Sequence, residues 1–210
     1  MIIQWLGLSC FKIQTKGNQG EVTIATDPFA DQPGLKMPKF QADIVTMSYN
    51  DELHNNADAI RGEPYIITQP GEYETKDIFI YGVPAIVEKT KSKLTMFKIF
   101  SEEISVAHLS DLSTTLSDDQ IDRLGNVDIL LIPIGGKDSL DTKKATEVIS
   151  QIDPRIVIPM SYKIDGQKSD LNSVDDFLKN SGLKSEKLEK LKIAKKDLMT
   201  EDTRIIVLTI

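Results

Sequence analysis

Histidine is nearly absent from this chain: 210 residues carry two of them, one cysteine and one tryptophan, and aromatic residues make up 6%. Each scarcity excludes something. A single cysteine, Cys10, forbids an intramolecular disulfide framework and fits a reducing compartment, so the cytoplasm is the expected location. No apolar run approaches the roughly 20 residues that span a bilayer. The opening Met1-Ile2-Ile3-Gln4-Trp5 has no basic leader, so neither a membrane span nor a signal peptide is expected. Lysine and arginine number 25 against 32 acidic residues, a formal net charge of −7. Binding to a phosphate backbone needs clustered positive charge, so neither nucleic acid nor membrane is expected as a partner. The one basic stretch, Lys184 to Lys196, is interleaved with Glu186, Glu189, Leu188, Leu191 and Ile193. Mixed signs cancel there, and it reads as a solvated face.

What the chain does have is apolar content, 40%, enough at this length for a full core. Short β-branched runs predict buried strands over Glu21 to Thr26, Ile44 to Met47, Tyr65 to Ile67, Ile104 to Ala107, Asp128 to Ile132 and Arg155 to Pro159. Helical patterns cover Ser117 to Leu124, Asp141 to Ile152 and Ser173 to Asn180, the last opening on a capping serine and ending before Gly182. Ile205 to Ile210 reads as a closing strand. No linker-like stretch divides the chain, so residues 1–210 are expected to form a single domain. Strands dominate early and alternate with helices later, which predicts a layered α/β arrangement; three-layer and four-layer forms both satisfy the pattern.

Several strands run straight into polar or glycine-bearing segments, the places where α/β proteins build sites. Ile44-Val45-Thr46-Met47 leads into Ser48-Tyr49-Asn50-Asp51-Glu52-Leu53-His54, and Ser105-Val106-Ala107 into His108-Leu109-Ser110-Asp111. Leu130 to Pro133 leads into Ile134-Gly135-Gly136, and Val157 to Met160 into Ser161-Tyr162-Lys163. Both histidines lie at such ends.

With these motifs the sequence resembles the metallo-β-lactamase superfamily, and within it the small hydrolase branch similar to ascorbate-6-phosphate lactonases. Trp5-Leu6-Gly7-Leu8-Ser9-Cys10-Phe11 is similar to its opening W-x-G-[HQ]-S-C-F, Asp27-Pro28-Phe29 to its D-P-F turn, and Pro70-Gly71-Glu72-Tyr73-Glu74 to its P-G-E-Y-E. His108-Leu109-Ser110-Asp111-Leu112 resembles H-L-G-D-L, Val127 to Gly136 resembles V-D-[IV]-L-[LM]-I-P-V-G-G, and Ile158 to Lys163 resembles I-P-M-H-Y-K. The order and number of these motifs span nearly the whole chain. The resemblance implies a four-layer αββα sandwich with a two-metal site at one edge, built on H-x-H-x-D-H, where zinc turns a bound water into hydroxide.

Laid on this chain, that motif falls on Tyr49, Asp51, Leu53 and His54, so only its last position keeps the family's residue. His108 and Asp111 are retained, the latter as the bridging carboxylate the resemblance implies, but the last histidine of the set is Ser161. Where the branch often carries another histidine, Pro84-Ala85-Ile86-Val87-Glu88 stands. Catalytic zinc normally takes three protein ligands plus water, and neither metal position reaches three unless Asp51 serves. The expectation is therefore a degenerate fold member without two-zinc hydrolase activity or a cofactor, in a binding, regulatory or subunit role. The alternative is a hydrolase of a small ester, lactone or phosphorylated metabolite with one zinc or manganese ion on some three of Asp51, His54, His108 and Asp111. In that case Asp51 and Asp111 are also the residual catalytic candidates. Without a metal, two protonated imidazoles would balance the two carboxylates. Asp27 is expected to brace the site loops, and Cys10 to be a buried structural thiol. Gly135-Gly136 reads as a tight turn, lacking the lysine and serine of a phosphate cradle. The partner is a small molecule or a protein, and self-association is common in the branch.

Overall fold

The computed structural model describes residues 1–164, 166, 169–199 and 202–210. In chain order the strands are β1 (Ile2–Gly7), β2 (Cys10–Gly17), β3 (Gly20–Thr26), β4 (Ile44–Thr46), β5 (Tyr65–Ile67), β6 (Gly71–Thr75), β7 (Ile78–Ile86), β8 (Lys93–Ser101) and β9 (Ile104–His108). They continue with β10 (Ile129–Pro133), β11 (Ile156–Met160), β12 (Ser185–Leu188), β13 (Leu191–Lys192) and β14 (Arg204–Leu208). The helices are α1 (Asp118–Leu124), α2 (Thr142–Ile152) and α3 (Val174–Ser181).

Two mixed sheets result. One has the order β13-β1-β2-β3-β4-β5, the other β12-β14-β11-β10-β9-β8-β7-β6. In the second sheet, β9, β10 and β11 are buried at every position. Parallel strands covered on both faces must be apolar throughout, which is why these runs stand out in the sequence. In the first sheet, side chains on alternate positions enter different cores. Phe11, Ile24 and Ile44 join the large cluster shared with the second sheet, whereas Cys10, Ala25 and Val45 join a smaller one with Phe29, Leu35, Met37 and Ile60.

That smaller cluster refines the expected αββα architecture. The main contacts of the three described α-helices are with the second sheet or with each other, α1 against β7, α2 against β10 and α3 against α2. The outer face of the first sheet is covered by the segment 28–43 and a single 3₁₀ turn, Ala57–Ala59. The helix ends follow local chemistry, which the sequence predicted for the cap at Ser173 and the stop at Gly182. Ser117, Asp141 and Ser173 cap α1, α2 and α3 with side-chain oxygens, and Gly182 closes α3 in the left-handed region.

The stretch Lys184 to Lys196 keeps its charged side chains exposed, as a solvated face requires, and also carries two strands. β12 adds to the second sheet beside β14, with Ser185 opposite Ile205 and Leu188 opposite Leu208. β13 then adds to the first sheet beside β1, and Leu191 and Ile193 are buried. The segment thus supplies an edge strand to each sheet, and its charges blunt those edges against further pairing.

Candidate functional site

The four strand ends singled out in the sequence lie at one end of the two sheets, and tight backbone turns hold them there. Leu8, Asp27, Ser110 and Ser161 all have φ between 40° and 52°, in the left-handed region that non-glycine residues rarely enter. Each such residue costs about 1–3 kcal/mol unless its surroundings hold it, and such strain gathers where side chains must be aimed. The bonds that hold them are present. Ser161 N–H donates to Leu8 O at 3.1 Å, and Trp5 Nε1–H donates to the same carbonyl at 2.8 Å. Trp5 in turn stacks on Tyr162 with ring centroids 4.7 Å apart.

Asp27 is the hub beneath the site. Fully buried, it accepts from Ser48 N–H at 2.7 Å and from Ser110 Oγ–H at 2.8 Å, while its own N–H donates to Thr46 O at 2.8 Å. It thus ties together the loops after β3, β4 and β9. Ser110 stands where the resembled motif has glycine, and its hydroxyl is spent on this carboxylate.

Asp51, His54 and Asp111 meet above that hub. His54 is buried, with Nδ1 2.6 Å from Asp51 Oδ1 and Nε2 3.2 Å from Asp111 Oδ2. Burial alone would depress the imidazole's pKa, but the charge and hydrogen bond of Asp111, with the hydrogen bond of Asp51 and the charge of Asp27, raise it well above its ordinary value. Burial likewise opposes ionisation of Asp51, and the His54 hydrogen bond and charge reverse this, leaving the carboxyl below its usual range. The three groups form an imidazolium between two carboxylates.

His108 does not join them in direct contact. Its ring Nε2 is 2.7 Å from Ser9 O, a carbonyl that can only accept, so the proton sits on Nε2. Its Nδ1 lies 3.9 Å from Asp27 Oδ2 and has no hydrogen-bond partner among the described residues. Full burial pushes this imidazole's pKa down, only partly offset by Asp27. The expectation of two protonated histidines is thus corrected: His54 carries the proton and His108 is neutral, because only His54 has a carboxylate on each nitrogen.

The replaced ligand positions have other partners. Tyr49 packs edge-on against the His54 ring, centroids 5.7 Å apart. Ser161 Oγ shares a 2.9 Å hydrogen bond with Ser9 Oγ. Leu53 lines a cavity of about 290 Å³ together with His54, Asp111, Ser9, Ser161 and Lys137. Among the described residues no three His, Cys, Asp or Glu side chains are grouped so as to hold one ion. A two-metal centre therefore does not fit the donor set: Leu53 offers no donor, and the hydroxyl of Ser161 is already engaged. Cys10 is fully buried, and burial followed by the charge of Asp27 raises its thiol pKa well above the ordinary value, which leaves it unreactive.

The double glycine serves packing at this site. A Cβ on Gly135 would stand 2.0 Å from Ser161 O, a clash that only backbone movement relieves, and Gly136 takes φ 68° in a turn closed by Leu140. Gly135→Ala is expected to cost about 3 kcal/mol or more and to displace Ser161, seen as a lowered urea midpoint. No such signal could be read from the sequence beyond the turn itself. Sequence reasoning also missed Ser9 and Ser110, whose roles depend on contacts across 152 and 83 positions.

Two facing mixed sheets, with loops converging at one end on a histidine between carboxylates, define a protein of the metallo-β-lactamase fold class. The family model described as the β-lactamase superfamily domain matches residues 2–161, and the chain belongs to that family. It is 29% identical over 181 residues to a UPF0173 protein of Pyrococcus abyssi, covering 77% of this chain and 83% of that one. A relative from Caldivirga maquilingensis named a UPF0173 metal-dependent hydrolase is 26% identical over 188 residues, covering 76% and 81%. Among solved structures, one from Thermotoga maritima, described as a Zn-dependent hydrolase of the metallo-β-lactamase superfamily, has 31% identity and a TM-score of 0.81 over 99% of this chain and 97% of that chain.

Proposed function

We propose that the chain uses its His54–Asp111 cavity to bind a small polar molecule without a two-metal centre, in a binding or regulatory role. One observation carries the reading: His54, the one position of H-x-H-x-D-H that keeps the family's residue, has both ring nitrogens engaged by carboxylates, at 2.6 and 3.2 Å. A proton balances charge where a cation would sit. The charged groups near the cavity are also paired, Lys137 with Asp170 at 3.9 Å and Asp138 with Lys89 at 2.7 Å. The serines 9, 139, 161 and 169 add hydroxyl groups to its lining. Such a lining suits a neutral, hydroxyl-bearing ligand better than a phosphate.

The test is turnover of ester, lactone and phosphodiester panels by chelator-treated protein and by protein supplemented with zinc or manganese. The expected result is no turnover above that of Asp111→Ala. A chelator-sensitive activity abolished by Asp111→Ala would overturn the reading.

A second reading has a specific observation in its favour, and the names of the relatives favour it too. His54 Nε2 and Asp111 Oδ2 are 3.2 Å apart, close to the edge of about 3.3 Å expected of a tetrahedral zinc site with bonds of about 2.0–2.1 Å. Asp51 on Nδ1 stands where a carboxylate orients a ligating imidazole. In this reading the pair is a weak one-ion site of a hydrolase for a small ester, lactone or phosphorylated metabolite. Two protein donors fall short of the usual three, so the ion would wash out readily. Metal occupancy separates the two readings.

A further inference from the structure

Three buried polar atoms have no hydrogen-bond partner among the described residues: Thr46 Oγ1, Ser48 Oγ and His108 Nδ1. Each belongs to a residue no more than 3% exposed, and native proteins leave few such atoms unpaired. They are not scattered, because all three residues meet Asp27. Thr46 O accepts from Asp27 N–H at 2.8 Å, Ser48 N–H donates to Asp27 Oδ1 at 2.7 Å, and His108 Nδ1 lies 3.9 Å from Asp27 Oδ2.

The sheet register turns Thr46 toward the imidazole. It lies two positions beyond Ile44, whose side chain joins the core between the sheets, and alternate strand positions share a face. Its partner across the strand pair is Thr26, whose hydroxyl donates to Ser9 O at 3.0 Å. The same carbonyl receives His108 Nε2–H at 2.7 Å. Thr46 therefore neighbours a threonine that shares an acceptor with His108.

The four groups are complementary to one small molecule. His108 Nδ1 can only accept, since the ring proton is on Nε2, and Asp27 Oδ2 can only accept as well, whereas the two hydroxyls can donate. Two acceptors 3.9 Å apart cannot bond to each other, but an oxygen about 2.8 Å from each would see them about 90° apart, open enough for its two protons. Its lone pairs would take the hydroxyl protons.

We infer that one internal water is bound here, donating to His108 Nδ1 and Asp27 Oδ2 and accepting from Thr46 Oγ1–H and Ser48 Oγ–H. Buried waters typically make about three such bonds to groups that are otherwise unpaired. This one extends the Asp27 hub to His108 and keeps the ring turned with Nε2–H on Ser9 O. His108 is thereby a supported structural residue, held from both nitrogens.

The test combines a high-resolution crystal structure of the full chain with urea unfolding of variants. A water peak is expected about 2.7–3.2 Å from both His108 Nδ1 and Asp27 Oδ2, retained after chelator treatment and without anomalous signal at the zinc or manganese edge. Thr46→Val keeps the side chain's shape and removes one donor, so it should raise the unfolding equilibrium constant about fivefold, the worth of one hydrogen bond. Ser48→Ala should act in the same direction. The double variant should fall well short of the product of the two, because both hydroxyls hold the same molecule. Hydroxyls that are truly unpaired predict the opposite: Thr46→Val neutral or stabilising, and effects that simply multiply. That outcome, or the absence of density bridging Nδ1 and Oδ2, would overturn the inference. So would a peak with a metal's anomalous signal, which would make the occupant an ion. The wild-type density decides alone if a variant fails to fold.

Discussion

Asp27→Ala is expected to lower the free energy of unfolding by about 3–5 kcal/mol, the cost of leaving buried polar groups without their charged partner. The carboxylate is fully buried and accepts from Ser48 N–H and Ser110 Oγ–H, both on buried residues. Position 27 also sits at φ 40°, a conformation that aspartate tolerates better than alanine. Asp27→Asn preserves the backbone and one acceptor, so its cost should be less than half as large. Urea unfolding checks both: the midpoint should fall in that order, with the slope unchanged.

The second large effect is electrostatic and depends on pH. The raised pKa of His54 means that the folded state holds its proton more tightly than the unfolded chain, whose histidine titrates near 6.5. The stabilisation is fully present below the unfolded value and is lost as pH rises through the folded one. His108 works the other way: its lowered pKa costs stability as pH falls below 6.5, because the unfolded state takes the proton first. Asp51, lowered, adds stability above its ordinary 3.8 that disappears as pH falls through its folded value. Above pH 6.5, then, His54 alone of the three makes stability decline with rising pH. Asp111→Ala should cost about 1–3 kcal/mol at pH 6 and move that decline to lower pH, since Asp111 is the largest of the influences that hold the proton on His54. Unfolding measured across the pH range, with the His54 ring nitrogens followed by NMR, checks it. An unmoved decline in the variant would show that the proton is held elsewhere.

How much of this was legible in the sequence differs by element. The buried strands β9, β10 and β11 announced themselves because both of their faces are covered, and a five-residue run with no polar face suits a strand packed on both sides. β12 did not. Ser185-Glu186-Lys187-Leu188 has no strand signature, and it is extended only because β14 offers it a parallel partner. The pair β1 and β2 was visible as a motif rather than as strands, since Gln4, Lys12 and Gln14 interrupt the apolar positions that face the core. The outer cover of the first sheet was not legible either. Phe29, Leu35 and Met37 reach their cluster from a loop, where no periodicity marks them.

At the site, the replaced ligand positions could be read directly, because Leu53 and Ser161 are a matter of identity. What replaced their chemistry could not. That both nitrogens of His54 meet carboxylates, while the neutral His108 turns to the Ser9 carbonyl, depends on distances no spacing rule supplies.

The most direct test of a proton-centred site is metal stoichiometry by elemental analysis. Tag-free protein purified without chelators should be measured as isolated, and again after incubation with zinc or manganese and desalting. The account predicts a ratio near zero in every case, and the same for Asp111→Ala. A ratio near one per chain that survives desalting, and falls away in Asp111→Ala, would contradict it and establish His54 and Asp111 as the anchors of a one-metal hydrolase.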